Sequence, residues 1–371
     1  MMFFYNVHGL LLIRSAQRLP ELTYFRTQNL PAAPDLDVRI EADPSAHKTE
    51  GSVSYDEVLG KFGFSIVINR TESVTDVIAS PLIKRSPHVL YTNVVEPLLR
   101  WTLVRKGYAL MHGACLAFAD EALFITAQTD TGKTTTILHT LRRNLDGCRF
   151  LSDDMTIFTP DGTVLGFPKP LTVSQHTLQA VGGADLTRLE RLFLQVQSRL
   201  HSREGRRAGM WLSKIRLPAA TLSAVVQWLI PPPKFMVGRL VPGAKLSDRS
   251  RLSQIVLIER GPQAERELSE TEKVGILIAN AEDAYGFPPY PVIAQQLSHW
   301  RGQDLHEQEQ KIVLRVVRDV PGVLLRRDDY SWYKELPGLV QVLSPAETRL
   351  EAVANAAPNR ATPAVAPTAT G

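Results

Sequence analysis

A strand, a tight loop and a helix follow one another around a Gly-Lys-Thr triplet in the first half of the chain. The apolar run 122–125 leads into the loop, and Ile137, Leu138 and Leu141 have helical spacing. The N–H groups of such a loop and the positive end of a helix dipole favour one anion, most plausibly a polyphosphate. The candidate phosphate-binding residues are Gln128, Thr129, Asp130, Thr131, Gly132, Lys133, Thr134 and Thr135.

Two residue types in this loop, and two acids beyond it, could do chemistry on a bound phosphate. Lys133 is placed to reach the terminal phosphates, and the Thr134 hydroxyl is placed to hold Mg²⁺. The short apolar stretch 150–152 then ends in Asp153 and Asp154. Acids delivered by a second strand beside a phosphate loop are what a metal-assisted phosphoryl transfer requires.

The loop departs from the usual nucleotide-binding pattern at two positions. Ala127 stands at the first glycine position, and Asp130 stands where related loops often carry another glycine. Asp tolerates a left-handed backbone better than most residues, although its charge would lie near phosphate. A loop that binds nucleotide without turning it over is therefore an alternative to a kinase.

The stretch from Met111 to about Pro170 resembles the superfamily of HPr kinase/phosphorylase and ATP-dependent phosphoenolpyruvate carboxykinase. The resemblance is carried by MHGACLAF, by ALFITAQTDTGKTTT and by FLSDD. It implies a nucleotide-dependent kinase core with Lys133 and Thr134 on the phosphates and Mg²⁺. It also implies that His112 lies near the transferred phosphoryl group or a second metal, and that Asp153 and Asp154 act as base and metal ligand.

Composition limits the classes of protein to which the chain can belong. It has 371 residues, of which 44% are apolar and 22% are charged, as in ordinary soluble domains. A net charge of +4 is too small to indicate nucleic-acid binding by itself. The two cysteines, Cys115 and Cys148, lie in apolar surroundings, so we expect buried thiols and a cytoplasmic protein. The N-terminus lacks a signal-peptide pattern, and no apolar run is long enough to span a membrane.

Regions on either side of the loop complete the predicted architecture. Residues 1–106 are rich in β-forming patterns, with a hairpin within 1–20 and strands at 37–41 and 62–68, and helical spacing follows at 93–106. Beyond the acids, a hairpin turns at 160–162. Lys169 is interpreted as a solvated lysine in a proline turn, and contact with phosphate is the alternative. The composition after residue 343 predicts a disordered tail over 344–371.

A basic segment followed by an apolar one occupies residues 185–235. Eight basic and three acidic residues lie within 185–216, and an apolar stretch containing Trp228 follows. This composition is typical of a surface that lies on anionic lipid, although a solvated basic helix followed by a core helix has the same composition. Aromatic residues are not interleaved with the basic ones, which argues against nucleic acid.

We therefore predict an α/β fold with a kinase core of the HPr kinase/carboxykinase type at 107–343, behind the β-rich region 1–106. The predicted reaction transfers the ATP γ-phosphoryl group to a hydroxyl of a protein, a metabolite or a lipid-linked alcohol. The predicted catalytic residues are Asp153, Asp154, His112 and Lys133, with Mg²⁺ on Thr134, Asp154 and Asp153. Of the two acids, Asp153 is expected to orient or deprotonate the acceptor, and Asp154 is expected to hold the metal with Thr134. A carboxykinase-like reaction is a further alternative. The expected partners are the nucleotide, the acceptor, a membrane surface and a second copy of the chain.

Overall fold

Two mixed β-sheets with helices packed around them form the described part of the protein. The computed structural model describes residues 1–59, 62–128, 131–173, 177–178, 187 and 218–340. Met1–Val340 form one compact unit. The predicted α/β class is confirmed by this arrangement. The predicted tail at 344–371 lies outside the described residues.

The first sheet contains seven strands in the order β3-β1-β2-β4-β7-β6-β5. β1 and β2 form an antiparallel hairpin, β4 runs parallel to β2 and to β7, and β5 and β6 form a second hairpin. All seven strands lie within residues 3–79. The strands are β1 (Phe3–Val7), β2 (Leu11–Ser15), β3 (Arg26–Thr27), β4 (Leu36–Ile40), β5 (Val53–Leu59), β6 (Phe62–Arg70) and β7 (Thr75–Ala79).

The second sheet contains ten strands, with the path β16-β11-β9-β10-β17-β13-β12-β8 and with β21 and β18 attached beside β17. Its strands are β8 (Ala109–His112), β9 (Ala114–Phe118), β10 (Glu121–Thr126), β11 (Cys148–Ser152), β12 (Met155–Phe158), β13 (Thr163–Leu165), β16 (Lys245–Leu246), β17 (Arg249–Arg260), β18 (Ala264–Glu267) and β21 (Gly322–Arg327). Two short pairs complete the strands: β14 (Leu171–Thr172) with β15 (Lys234–Phe235), and β19 (His299–Trp300) with β20 (Gln303–Asp304).

Helices cover both faces of the second sheet. In the described residues the α-helices are α1 (Pro81–Lys84), α2 (Pro87–Leu90), α3 (Glu96–Arg105), α4 (Lys133–Arg143), α5 (Ala219–Leu229), α6 (Val237–Leu240), α7 (Glu270–Asp283), α8 (Tyr290–Leu297), α9 (Leu305–Val317) and α10 (Trp332–Leu339). α3 continues a π-helical turn over Tyr91–Val95. Two 3₁₀ helices lie at Pro20–Phe25 and Pro44–His47.

Residues 122–125 of β10, just before the loop, are all apolar because β10 lies between two cores. Ala122 and Phe124 belong to the core shared with the N-terminal sheet, whereas Leu123 and Ile125 belong to the core beneath α4. Successive side chains of a strand point to opposite faces, so a strand covered on both sides needs apolar residues throughout. The neighbouring strand β9 is completely buried for the same reason.

Strand direction brings three strand ends to one edge of this sheet. β9 is antiparallel to β10 on one side and to β11 on the other, so β10 and β11 run the same way. β17 is parallel to β10. The loop after β10, the acids after β11 and the last residues of β17 therefore lie at a common edge, which is where ligands bind in α/β sheets.

A buried charged cluster joins the N-terminal region to the rest of the chain. Glu21 lies in the first 3₁₀ helix and accepts hydrogen bonds from Lys234 of β15 and from His88 of α2, the latter at 2.6 Å. Burial alone would raise the pKa of Glu21, but His88 and Lys234 outweigh it and lower the pKa from 4.5 to about 2. The cluster therefore stabilises the fold only while Glu21 is ionised.

We expect the stability contributed by Glu21 to be fully present above pH 4.5 and to disappear as the pH falls towards 2, because the folded state holds the lower pKa. A pKa shift of this size corresponds to about 3 kcal/mol in the free energy of unfolding. Urea unfolding of wild type and Glu21→Gln between pH 7 and pH 2 measures it. The two free energies of unfolding should converge on acidification. Glu50→Gln, at an exposed carboxylate, is the control. A difference in unfolding free energy between wild type and Glu21→Gln that stays constant from pH 7 to pH 2 would contradict the assignment.

Candidate functional site

The predicted phosphate loop lies between β10 and α4, as the sequence indicated. β10 ends at Thr126 and α4 begins at Lys133. Gly132 precedes the helix with φ 115° and ψ 23°, a left-handed conformation that favours glycine. Among the described residues no side chain caps this helix. The N–H groups of its first turn have no helical acceptors and are directed beyond the strand end, where an anion would be stabilised.

An aromatic residue from the C-terminal part packs directly against this loop. A Cβ atom on Gly132 would lie 2.3 Å from the Tyr330 ring, so only glycine fits there. Arg260, the last residue of β17, stacks 3.8 Å from the centre of the same ring and donates to the Thr131 carbonyl at 3.0 Å. The loop is therefore supported by residues that are more than 120 positions away in the sequence.

Asp153 is the acid that faces the loop. Thr134 Oγ1 donates a 3.0 Å hydrogen bond to Asp153 Oδ2. The other carboxylate oxygen, Oδ1, is buried and has no hydrogen-bond partner among the described residues. Burial raises the pKa of Asp153 to about 6, although Lys133 opposes the shift. An unpartnered carboxylate oxygen beside a threonine hydroxyl is a donor set that suits a hard divalent cation, so the residues present fit Mg²⁺.

His112 lies beside the acids because β8 pairs with β12, which places His112 opposite Met155. Its Nδ1 lies 3.0 Å from the Asn280 carbonyl oxygen. A carbonyl oxygen can only accept, so Nδ1 carries a proton. Nε2 lies 3.0 Å from Lys133 Nζ and 3.2 Å from Asp154 Oδ1. His112 therefore links the loop lysine to the second acid.

Asp154 is held in place by Lys169. Lys169 Nζ donates to Asp154 Oδ2 and, at 2.8 Å, to Glu96 Oε2. The interpretation of Lys169 as a solvated lysine was wrong, since it is only 8% exposed. The prolines on either side fix the backbone, but Glu96 and Asp154 draw the side chain inward. The Asp154 side chain is 43% exposed and faces open space beside the site.

The charges of this cluster determine which groups remain ionised. Burial would raise the pKa of Asp154, but Lys169, His112 and Lys133 outweigh it and hold the pKa well below its usual range. Burial lowers the pKa of Lys133, with Asp154 and Asp153 opposing it. Lys169 is held above its usual pKa by Asp154 and Glu96 despite its burial. Asp154 is thus a carboxylate poised to accept a hydrogen bond.

A cavity of about 450 Å³ opens next to the loop, at the end of β17. Leu257, Ile276 and Ala279 give it apolar walls, and Gln128, Arg260 and Asn280 give it polar groups. Its volume falls within the range of small-molecule sites. Asn280 also donates to Thr126 Oγ1 at 2.7 Å, which ties the cavity wall to the strand that carries the loop.

The structure gathers most of the predicted site residues and shows others that the sequence did not reveal. Thr134 is hydrogen-bonded to Asp153, and His112 contacts both Lys133 and Asp154. Thr135 is instead buried, with its hydroxyl 3.2 Å from that of Thr177, and Thr129 and Asp130 lie outside the described residues. Residues that sequence reasoning missed or misread are Lys169, Glu96, Arg260, Asn280 and Tyr330. They come from distant elements, and only Lys169 carried a local signal, its proximity in sequence to the acids.

A second group of metal-type side chains, Glu282, His306 and Glu309, lies elsewhere in the described part of the chain. Arg100 is fully buried there and donates to both oxygens of Glu309, at 2.8 and 2.6 Å, and to Glu282 at 2.6 Å. The carboxylates are therefore already neutralised by a guanidinium. A structural ion-pair cluster explains this group better than a metal site.

Part of the predicted membrane-surface segment can be located. Residues 188–217 lie outside the described residues, whereas the apolar stretch forms α5, in which Leu229 is 63% exposed. The contact with anionic lipid stays a prediction. In the described residues no helix combines the length and the apolar character needed to cross a membrane.

A scan against protein-family models gives no match for this chain, and a search of curated proteins gives none either. The functional assignment therefore depends on the geometry of the site.

Gly113, which follows His112, is expected to be required for the site's geometry. A Cβ atom at this position would lie 2.1 Å from the buried Phe124 ring. Gly113→Ala should lower the free energy of unfolding by roughly 1–3 kcal/mol, because the packed ring cannot move freely. Gly147→Ala, where no atom lies within 4 Å of the added methyl group, is the control. Equal urea midpoints for the two variants would contradict this account.

Proposed function

We propose that this protein is a kinase with a core of the HPr kinase/carboxykinase type, which transfers the γ-phosphoryl group of ATP to a hydroxyl acceptor with Mg²⁺ as cofactor. The observation that carries the proposal is the contact between Thr134 of the loop and Asp153 of the neighbouring strand, at 3.0 Å. A hydroxyl and a carboxylate brought together at the start of a helix are the metal-binding pair of phosphate-loop enzymes.

The contacts favour different roles for Asp153 and Asp154. Asp153 has an unpartnered buried oxygen beside Thr134, so these two residues would hold Mg²⁺. When bound, Mg²⁺ would supply positive charge that neutralises the phosphate oxygens. Lys169 donates to Oδ2 of Asp154, and Nε2 of His112 lies 3.2 Å from Oδ1. We therefore assign Asp153 to the metal and Asp154 to the acceptor, which reverses the roles expected from the sequence.

The phosphate chain would lie over the N-terminus of α4. The N–H groups of the first helical turn and the Lys133 ammonium would donate to phosphate oxygens. Lys133 would then exchange its hydrogen bond to His112 for one to phosphate. These groups stabilise the charge that moves to the leaving phosphate oxygen during transfer.

Asp154 would accept the proton of the acceptor hydroxyl. Its side chain is partly exposed, so an acceptor can approach it, and the cations around it keep it ionised. The acceptor oxygen forms a bond to the γ-phosphorus while the bond between that phosphorus and the β,γ-bridging oxygen breaks. The products are the phosphorylated acceptor and ADP, and the hydroxyl proton passes to Asp154.

The nucleoside would occupy the cavity beside the loop. The cavity lies against α7 and the end of β17, and Gln128 and Thr131 of the loop contribute to its wall. Apolar walls with a few polar groups are typical of nucleoside-sized sites. Phosphates over α4 and a nucleoside in this cavity would therefore belong to one molecule.

Substitutions in the two halves of the site should separate binding from catalysis. Lys133→Ala should weaken ATP binding roughly 10- to 100-fold, because it removes charge-assisted hydrogen bonds. Asp154→Asn should leave ATP binding within a few-fold of wild type and lower phosphoryl transfer by about 10²–10⁴-fold. Calorimetry measures binding, and γ-labelled ATP with protein, lipid and small-molecule fractions of a lysate measures transfer. If the wild-type protein binds ATP but transfers the labelled phosphoryl group to none of the fractions, a nucleotide sensor is favoured over a kinase.

Filling the cavity should affect the nucleoside but not the phosphates. Ala279→Trp is expected to weaken ATP binding at least tenfold while leaving the affinity for inorganic tripolyphosphate unchanged. The indole would occupy space that the nucleoside requires. Thr271→Trp, at an exposed position two turns earlier on α7, is the matched control. Equal losses for ATP and tripolyphosphate would show that the nucleoside lies elsewhere.

A further inference from the structure

Asp154 is surrounded by protein groups in a way that Asp153 is not. Lys169 donates to Oδ2 of Asp154, and Nε2 of His112 lies 3.2 Å from Oδ1. Asp153, by contrast, keeps a buried oxygen with no partner among the described residues. Two adjacent acids of the same type thus differ in what they can still bind. Asp153 has a free ligand position, whereas Asp154 is already paired with the positive charge of Lys169.

Lys169 is anchored from the side opposite Asp154. Glu96, the first residue of α3, is 4% exposed and accepts from Lys169 Nζ at 2.8 Å. The Tyr91 ring lies 5.8 Å from the same nitrogen. Both Glu96 and Tyr91 come from the segment that precedes β8, so the region before the phosphate loop supplies this anchor. The ammonium is therefore fixed between two carboxylates.

Buried carboxylates need a compensating charge, and either an ammonium or a metal ion can provide it. A divalent cation bound to Asp154 would have to displace the Lys169 ammonium. The displaced ammonium would remain close to the new cation, because Glu96 holds it, and the two would repel each other. A single ammonium in this place supplies charge and fixes the carboxylate without leaving an open coordination position.

We propose that Lys169 is the positioning residue for Asp154 and occupies the place of a second divalent cation, so that the site binds one metal ion together with the nucleotide. This inference rests on the proposed function. Lys169, held by Glu96, orients the carboxylate that accepts the acceptor's proton and itself touches no substrate. The single metal ion is left to Asp153 and Thr134.

Metal stoichiometry tests the proposal without relying on activity. Electron paramagnetic resonance counts Mn²⁺ bound per chain in the presence of a non-hydrolysable ATP analogue. Wild type should bind one Mn²⁺. Lys169→Met should bind two, because Asp154 and Glu96 then form a new carboxylate pair. Lys169→Arg should bind one, since the guanidinium keeps the positive charge, and Lys48→Met, at an exposed lysine, is the control and should also bind one.

Kinetics of the same variants distinguish positioning from mere structural support. Lys169→Met should lower kcat at least tenfold and leave KM for ATP within about twofold, and Lys169→Arg should recover part of kcat. If Lys169→Met is unstable, the double variant Lys169→Met/Glu96→Gln avoids the unpaired buried carboxylate. It should also bind two Mn²⁺, because Oδ2 of Asp154 is then free of the ammonium.

Two Mn²⁺ ions in wild type, or one in a folded Lys169→Met or double variant, would overturn the proposal whatever the activity. An unchanged kcat in Lys169→Met would overturn it as well. A wild-type protein that binds neither Mn²⁺ nor the nucleotide analogue would instead refute the proposed function, and with it this inference. Binding of the analogue with one Mn²⁺ in every variant would refute only the role of Lys169.

Discussion

The direction of three adjacent strands is the constraint on which the site depends. β9 runs antiparallel to both of its neighbours, so β10 and β11 end at the same edge of the sheet. The loop after β10 and the acids after β11 therefore meet, although a helix separates them in the sequence. His112 lies at this edge too, because β9 starts there. Reversal of any one strand would move its residues to the opposite edge.

Charge compensation is the second condition that this edge must satisfy. Asp153, Asp154, Glu96, Lys133 and Lys169 are brought together, and each of these ionised groups that is buried needs a partner. Lys169 and Glu96 satisfy part of this requirement from outside the loop. The same requirement recurs at Glu21, to which Lys234 supplies a positive charge and His88 a hydrogen bond. This ion pair joins the N-terminal region to β15 of the short β14–β15 pair.

The sequence predicted the local parts of this arrangement because their signals are local. An apolar run, a Gly-Lys-Thr triplet and a helical pattern were sufficient to locate β10, the loop and α4. The Lys169 side chain was misplaced, because its burial depends on Glu96, which is 73 positions away. The support from Tyr330 could not be predicted either. The fit between its ring and Gly132 arises from tertiary packing, and a single sequence does not record such contacts.

The most direct test of the account is a crystal structure of the protein grown with Mn²⁺ and a non-hydrolysable ATP analogue, with the metal located by its anomalous scattering. The account predicts phosphates over the N-terminus of α4, Lys133 Nζ within hydrogen-bonding distance of a phosphate oxygen, and the anomalous peak beside Thr134 and Asp153. An empty loop, or a nucleotide bound elsewhere with the metal away from Asp153, would contradict it.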